Sequence, residues 1–115
     1  MIRSFGLFIL ILTSQALIAQ PDHIKTAEIE TKIWCDHCQE CPDCGKNIFL
    51  SVKKNKGIKD VVVDDKNHTI AVTYNSKKVT LGEIENAITS AGFKANDNEP
   101  DPEAYGKLDG CCKKN

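Results

Sequence analysis

Residues 58–74, IKDVVVDDKNHTIAVTY, decide the fold. Residues 58–63 form a run rich in β-branched side chains. Asp64-Asp65-Lys66-Asn67 then supplies polar turn chemistry. In residues 68–74, Ile70, Val72 and Tyr74 alternate with Thr69, Ala71 and Thr73, the period of two of a half-buried strand. Two such runs joined by a short polar turn predict an antiparallel hairpin with one face against a core.

A helical pattern lies on each side of this hairpin. Upstream, Cys44, Ile48 and Val52 fall at i, i+4 and i+8 with Phe49 beside them, an apolar stripe. That helix is expected to start at Cys41-Pro42, where the missing proline N–H costs nothing. Its last turn holds Lys53, Lys54 and Lys56, and Gly57 is the expected C′ stop. Downstream, Thr80-Leu81-Gly82-Glu83 fits the capping box that opens a helix. Leu81, Ile84, Ile88 and Ala91 then keep helical spacing until Gly92.

Further out, Ala27, Ile29, Thr31 and Ile33 alternate with Glu28, Glu30 and Lys32, which predicts a first strand over residues 27–33. Residues 93–95 read as a short last strand. The order is β-α-β-β-α-β, which makes the expected class α+β: a ferredoxin-like sandwich, an antiparallel sheet with two helices on one face.

Residues 1–19 read as a signal peptide, with Arg3 as its positive end, an apolar stretch from Phe5 to Leu12, and small residues before Gln20. The apolar stretch is far short of the ~20 residues a bilayer span requires. The expectation is an exported mature chain, periplasmic or secreted, with no membrane span. A domain over residues 24–97 would fill most of it. Residues 98–115 would form a polar tail that opens with DNEPDPE-type composition, carries a turn of helix around residues 103–108, and ends in Cys111-Cys112. The 15 basic and 16 acidic side chains intermix along the chain and leave a net charge of −1. That balance excludes the basic footprint of a nucleic-acid binder. No Ser/His/Asp set, carboxylate pair in an apolar setting or glycine-rich phosphate loop is present, so neither a hydrolase nor a nucleotide enzyme is indicated.

Six cysteines remain to be explained. Cys35, Cys38, Cys41 and Cys44 follow one another at three-residue steps in WCDHCQECPDC. On a helix each such step rotates about 60° backwards, so this run must be mostly loop. Cys-x-x-Cys brings two sulfurs onto one soft ion, and thiolates select copper(I), zinc and similar metals. Cys41 and Cys44 stand where a helix start favours the thiolate. Cys35 and Cys38 either complete a four-thiolate shell or form disulfides, with each other or with Cys111 and Cys112. Cys111 and Cys112 are adjacent, a poor arrangement for chelating one ion together, yet a stiff spacer at Pro100 and Pro102 lets the tail fold back over the loop. An exported chain favours disulfides for any thiol that holds no metal. His37 is a candidate nitrogen ligand or a polar loop residue, and Asp36, Glu40 and Asp43 either attract cations or are solvated. His23 and His68 are read as isolated and solvated. The iron–sulfur spacing C-x2-C-x2-C-x3-C-P is not met, because the last interval here is two residues.

The segments CPDC, KGIKDVVVD, TIAVTY and LGEIENAITSAGF together resemble the heavy-metal-associated domain, the module of copper chaperones, copper-transporting ATPase tails and the periplasmic mercury-binding protein. The resemblance covers about residues 24–96. It implies a metal site on Cys41 and Cys44, with Cys35 and Cys38 as an extra pair in a lengthened loop and Phe93 near that loop. The family's Met-Thr before the first cysteine is missing: Gln39-Glu40 precede Cys41, and Ile33-Trp34 precede Cys35. The reading is then a non-enzymatic binder of a soft metal, copper(I) or zinc. It would act as carrier or scavenger through Cys41, Cys44, Cys35, Cys38, Cys111 and Cys112, with a metal transporter or another metal-binding domain as partner. The alternative is a thiol–disulfide oxidoreductase working through Cys41-Pro42-Asp43-Cys44. Against it, no proline between Pro42 and Pro100 is available to face the pair.

Overall fold

A computed structural model describes residues 22–35 and 44–114 of the chain. Its elements are β1 (Ile24–Glu30), α1 (Gly45–Lys53), β2 (Ile58–Asp64), β3 (Thr69–Asn75), α2 (Leu81–Ser90), α3 (Pro102–Gly106) and a 3-10 turn (Gly110–Cys112). The strands form an antiparallel sheet in the order β1-β3-β2. Among the described residues no helix is long and apolar enough to cross a membrane.

The hairpin is as its pattern predicts. Ile70 faces Ile29 on one side and Val63 on the other, and Val72 faces Ala27 and Val61. These rows, with Tyr74, lie on the inward face; Val62 points the other way and is exposed. A register shift between Ile58 and Asp60 lets Ile58 and Val61, three apart, both point inward. The Asp64 carboxylate closes the turn by accepting the Lys66 and Asn67 backbone N–H groups and the Asn67 side-chain amide. Asn67 accordingly holds the Asp64 carboxyl below its ordinary range.

The helices pack on that face. Ile48 and Val52 of α1 and Ile84 and Ile88 of α2 are fully buried with Ile29, Ile70 and Val72. Each such aliphatic side chain contributes roughly 1.5–3 kcal/mol by leaving water. The expected stripes need two corrections: Phe49 lies beside the α1 stripe and is 38% exposed, and Leu81 in the first turn of α2 is equally exposed. Ala87 completes the α2 face instead. The capping box is present, with Thr80 Oγ1 accepting the Glu83 N–H and the Glu83 carboxylate accepting the Thr80 N–H. Helix α1 starts at Gly45, later than expected, with Cys44 as N-cap; residues 41–43, and with them the predicted proline start, lie outside the described residues. Gly57 is not its C′ residue, because Lys54 caps the helix. It has φ +88° just before β2, where a Cβ would come 2.7 Å from Lys78 Cβ.

The predicted last strand does not form. Phe93 and Ala95 are buried as a strand's inward residues would be, but Ala95 makes only an isolated bridge to Asn98. Asn96, at φ +53°, turns the chain away after one backbone bond to Glu30. Its side-chain carbonyl, not a backbone carbonyl, accepts the Glu30 N–H. The βαββαβ path survives with its final strand reduced to this contact.

At the other side of the fold β1 ends at Glu30, yet its alternation runs on. Thr31, Ile33 and Cys35 are buried, while Lys32 and Trp34 face out. His68 holds this extension: its carbonyl accepts the Thr31 N–H and its Nδ1 accepts the Ile33 N–H at 3.1 Å. His68 is exposed, as expected, but it is not isolated.

The tail is part of the fold. Asp101 donates its N–H to the Thr89 carbonyl at the end of α2 and caps α3 with its side chain. Leu108 is buried in the core, and Cys112 is joined to Cys44 by a disulfide 68 residues apart in sequence. Gly92, at φ +99°, lets the α3 backbone approach, since a Cβ there would lie 3.1 Å from Ala104 and Tyr105 backbone atoms.

Two outcomes follow from this packing. Gly92→Ala is expected to cost about 1–3 kcal/mol through the forced positive φ and the displaced tail, measured by denaturant unfolding with faster amide exchange in α3. Reducing the Cys44–Cys112 bridge is expected to lower stability by about 4 kcal/mol on loop-entropy grounds, read from unfolding with and without a dithiol reductant.

Candidate metal centre

Three separate stretches of chain deliver sulfur to one place. The continued alternation of β1 turns Cys35 inward, 6% exposed. Cys44 stands at the N-cap of α1, fully buried, and its carbonyl accepts the Ile48 N–H as the first helical bond. The 3-10 turn, held by the Cys112 N–H on the Asp109 carbonyl, brings in Cys111 and Cys112. The Cys35, Cys111 and Cys112 sulfurs all lie within 4.8 Å of one another. Cys112 is 1% exposed and bonded to Cys44; Cys111 is exposed.

The fates of the predicted residues are therefore specific. Cys35, Cys44, Cys111 and Cys112 are brought together. Cys38 and Cys41, with His37, Asp36, Glu40 and Asp43, lie outside the described residues. The adjacent tail cysteines were expected to chelate poorly, but the 3-10 turn sets their sulfurs 3.9 Å apart on one side. The tail does fold back, and its staple reaches Cys44 at the helix start.

The surroundings complete the electrostatics. A cleft of about 290 Å³ opens beside Cys112, lined among others by Trp34, Phe93, Tyr105, Lys32, Lys94 and Lys114. Trp34 is 43% exposed and forms the rim, with the Lys114 ammonium 5.7 Å from its ring centroid. The Lys114 N–H donates to the Tyr105 hydroxyl and the Lys113 ammonium to the Gly106 carbonyl, so the tail end is tied to α3. Phe93 is 2% exposed and belongs both to the core and to this cleft.

Sequence reasoning named Cys112 but missed the tail's other anchors. Tyr105 and Leu108 precede Cys112 at i, i+3 and i+7, an apolar spacing that was there to be read within the polar composition. The lysines of the cleft gave no such signal, because Lys32, Lys94 and Lys114 meet only through the fold.

Soft-metal chemistry is what this arrangement of buried and exposed sulfurs suits. A helix start offers unpaired N–H groups that favour an anionic sulfur. A redox pair in Cys41-Pro42-Asp43-Cys44 would join Cys44 to Cys41, whereas here the partner of Cys44 is Cys112.

Comparison with known proteins agrees with the fold. Residues 35–94 match the family profile described as the heavy-metal-associated domain. A Bacillus anthracis str. Ames protein, described as a proposed copper-ion-binding protein, superposes with a TM-score of 0.55 at 27% identity, covering 64% of this chain and 96% of its own. The CopZ metallochaperone superposes with a TM-score of 0.53 at 18% identity, covering 62% and 98%. A copper binding domain from HMA7, a P-type ATPase, gives 0.53 at 17% identity, covering 62% and 89%. The last two speak to the fold alone. No curated protein matches the sequence. With the profile spanning just over half of the chain and the sulfur cluster at the β1–α1 junction, the chain belongs to the heavy-metal-associated domain family.

Proposed function

We propose that this protein is an exported binder of a soft metal ion, copper(I) or zinc, and that it carries or scavenges the ion through cysteine thiolates. The observation that carries the reading is the convergence of Cys35, Cys44, Cys111 and Cys112 at the strand-to-helix junction of a heavy-metal-associated fold. Cys38 and Cys41 complete the proposed ligand set. The metal is cargo, and no bond of a substrate is made or broken, so the protein is not an enzyme. Copper is favoured by the Bacillus anthracis relative, a proposed copper-ion-binding protein by description. A tetrahedral four-thiolate shell suits zinc equally.

Transfer follows from ligand exchange. Cys111, an exposed residue, is the point of entry for an incoming dithiol, which forms a shared, mixed-ligand intermediate before the buried sulfurs let go. The partner is a metal transporter or another metal-binding domain. Export is supported by the signal-like residues 1–19 and by the Cys44–Cys112 bridge, since disulfides persist in oxidising compartments such as the periplasm or the extracellular space. The oxidoreductase alternative draws no support from the family or from the pairing of Cys44.

The test is native mass spectrometry of anaerobically reduced protein offered copper(I) or zinc. The expected result is at least one bound ion per chain, released when the thiols are alkylated. Reduced protein that takes up neither copper, zinc, cadmium nor mercury would overturn the proposal.

A further inference from the structure

The spacing of the tail sulfurs has a metal geometry of its own. An ion with metal–sulfur bonds near ~2.3 Å sets its thiolates about 3.8 Å apart in a tetrahedral shell and about 4.0 Å apart in a trigonal one. Cys111 and Cys112 already stand 3.9 Å apart, and Cys35 lies within 4.8 Å of both. An approach of about 1 Å or less by Cys35 would complete a three-thiolate shell of the dimensions of ~2.3 Å bonds.

We propose that Cys35, Cys111 and Cys112 suffice to form a soft-metal site without Cys38 or Cys41, and that the Cys44–Cys112 bridge holds this site shut. The inference rests on the metal-carrier reading and adds to it where one ion binds and what gates it.

Three further observations support the site. The 3-10 turn Gly110–Cys112 removes the backbone difficulty of adjacent cysteines by aiming both sulfurs one way. Lys32, Lys94 and Lys114 line the adjoining cleft against the single carboxylate of Glu99, an excess of positive charge where thiolates would gather. Leu108 is also buried in the core, a second anchor besides the bridge to hold the tail near Cys35 when the bridge opens.

The gate is a balanced exchange with a dithiol reductant. One reductant thiolate attacks a bridge sulfur and the Cys44–Cys112 bond breaks. The reductant's two sulfurs then join as a disulfide, and its two electrons and two protons leave Cys44 and Cys112 as thiols. The ion afterwards displaces the protons of Cys35, Cys111 and Cys112 to solvent without changing its own oxidation state. Oxidised chain therefore holds one of the three ligands in a covalent bond, and reduced chain releases it.

The test uses the full chain carrying Cys38→Ser and Cys41→Ser, reduced with a dithiol, desalted anaerobically and titrated with cadmium(II). Cadmium–thiolate charge-transfer absorbance reports the number of sulfurs per ion. One tightly bound cadmium with the absorbance of three or more thiolates is expected. Adding Cys111→Ser, an exposed position, should weaken binding by more than roughly a hundredfold, beyond the scale on which contacts supporting a ligand act, and remove one thiolate's absorbance. Cys35→Ser should do the same, with folding checked by circular dichroism. The unreduced variant should bind at least as poorly as these. Wild type that binds while the Cys38/Cys41 variant does not, or binding indifferent to Cys111→Ser, would overturn the tail site alone. Wild type that binds no soft ion would overturn the carrier reading as well.

Discussion

One-sided burial of the sheet is the constraint on which everything else in this molecule depends. Ile29, Ile70 and Val63 form one inward row, and Val72 links Ala27 and Val61 in the next. Because side chains alternate strictly, this choice sends every other residue of each strand outward. Both helices must then cover the same face. The loop from β1 to α1 must bring the chain from the sheet edge to the helix layer, and at that crossing the cysteines collect. The location of the sulfur chemistry is thus a consequence of where the aliphatic rows point.

The same alternation accounts for Cys35. The ladder stops at Glu30 because the partner strand β3 ends at Thr69, but His68 continues to hold the extension with one carbonyl and one ring nitrogen. The extension keeps strand-like facing for five more residues, and the last of them is a cysteine turned into the core. A histidine that reads as a lone polar residue is the contact that fixes the approach to the site.

The tail converts a small two-layer domain into one with an added strap. The burial of Leu108 contributes roughly 1.5–3 kcal/mol and the bridge about 4 kcal/mol, so neither alone dominates the docking. The strap lies across the ends of α1 and α2, using the space that Gly92 leaves open. Phe93 shares a cleft with Tyr105 and Cys112 of the strap, and it stays buried with one backbone bond from Asn96 to Glu30 where a final strand would pair. A domain that lacks full strand pairing at one edge gains a covalent staple across its helices.

The sequence alone determined the elements and their order, because periodicity, caps and turns are local. Alternation in residues 58–74, the capping box at Thr80 and the stripe of Ile48 and Val52 each act within a few residues and carry over into the structure. The family resemblance was legible for the same reason, being carried by those elements. Where a local signal was mixed, the reading slipped: Asn96 broke a strand that Phe93 and Ala95 would otherwise have made, and the polar composition of the tail concealed Tyr105 and Leu108. Only the tertiary structure decided which sulfurs meet. Cys44 and Cys112 stand 68 residues apart, and their encounter depends on the sheet, both helices and the tail being packed at once, a condition no local pattern encodes.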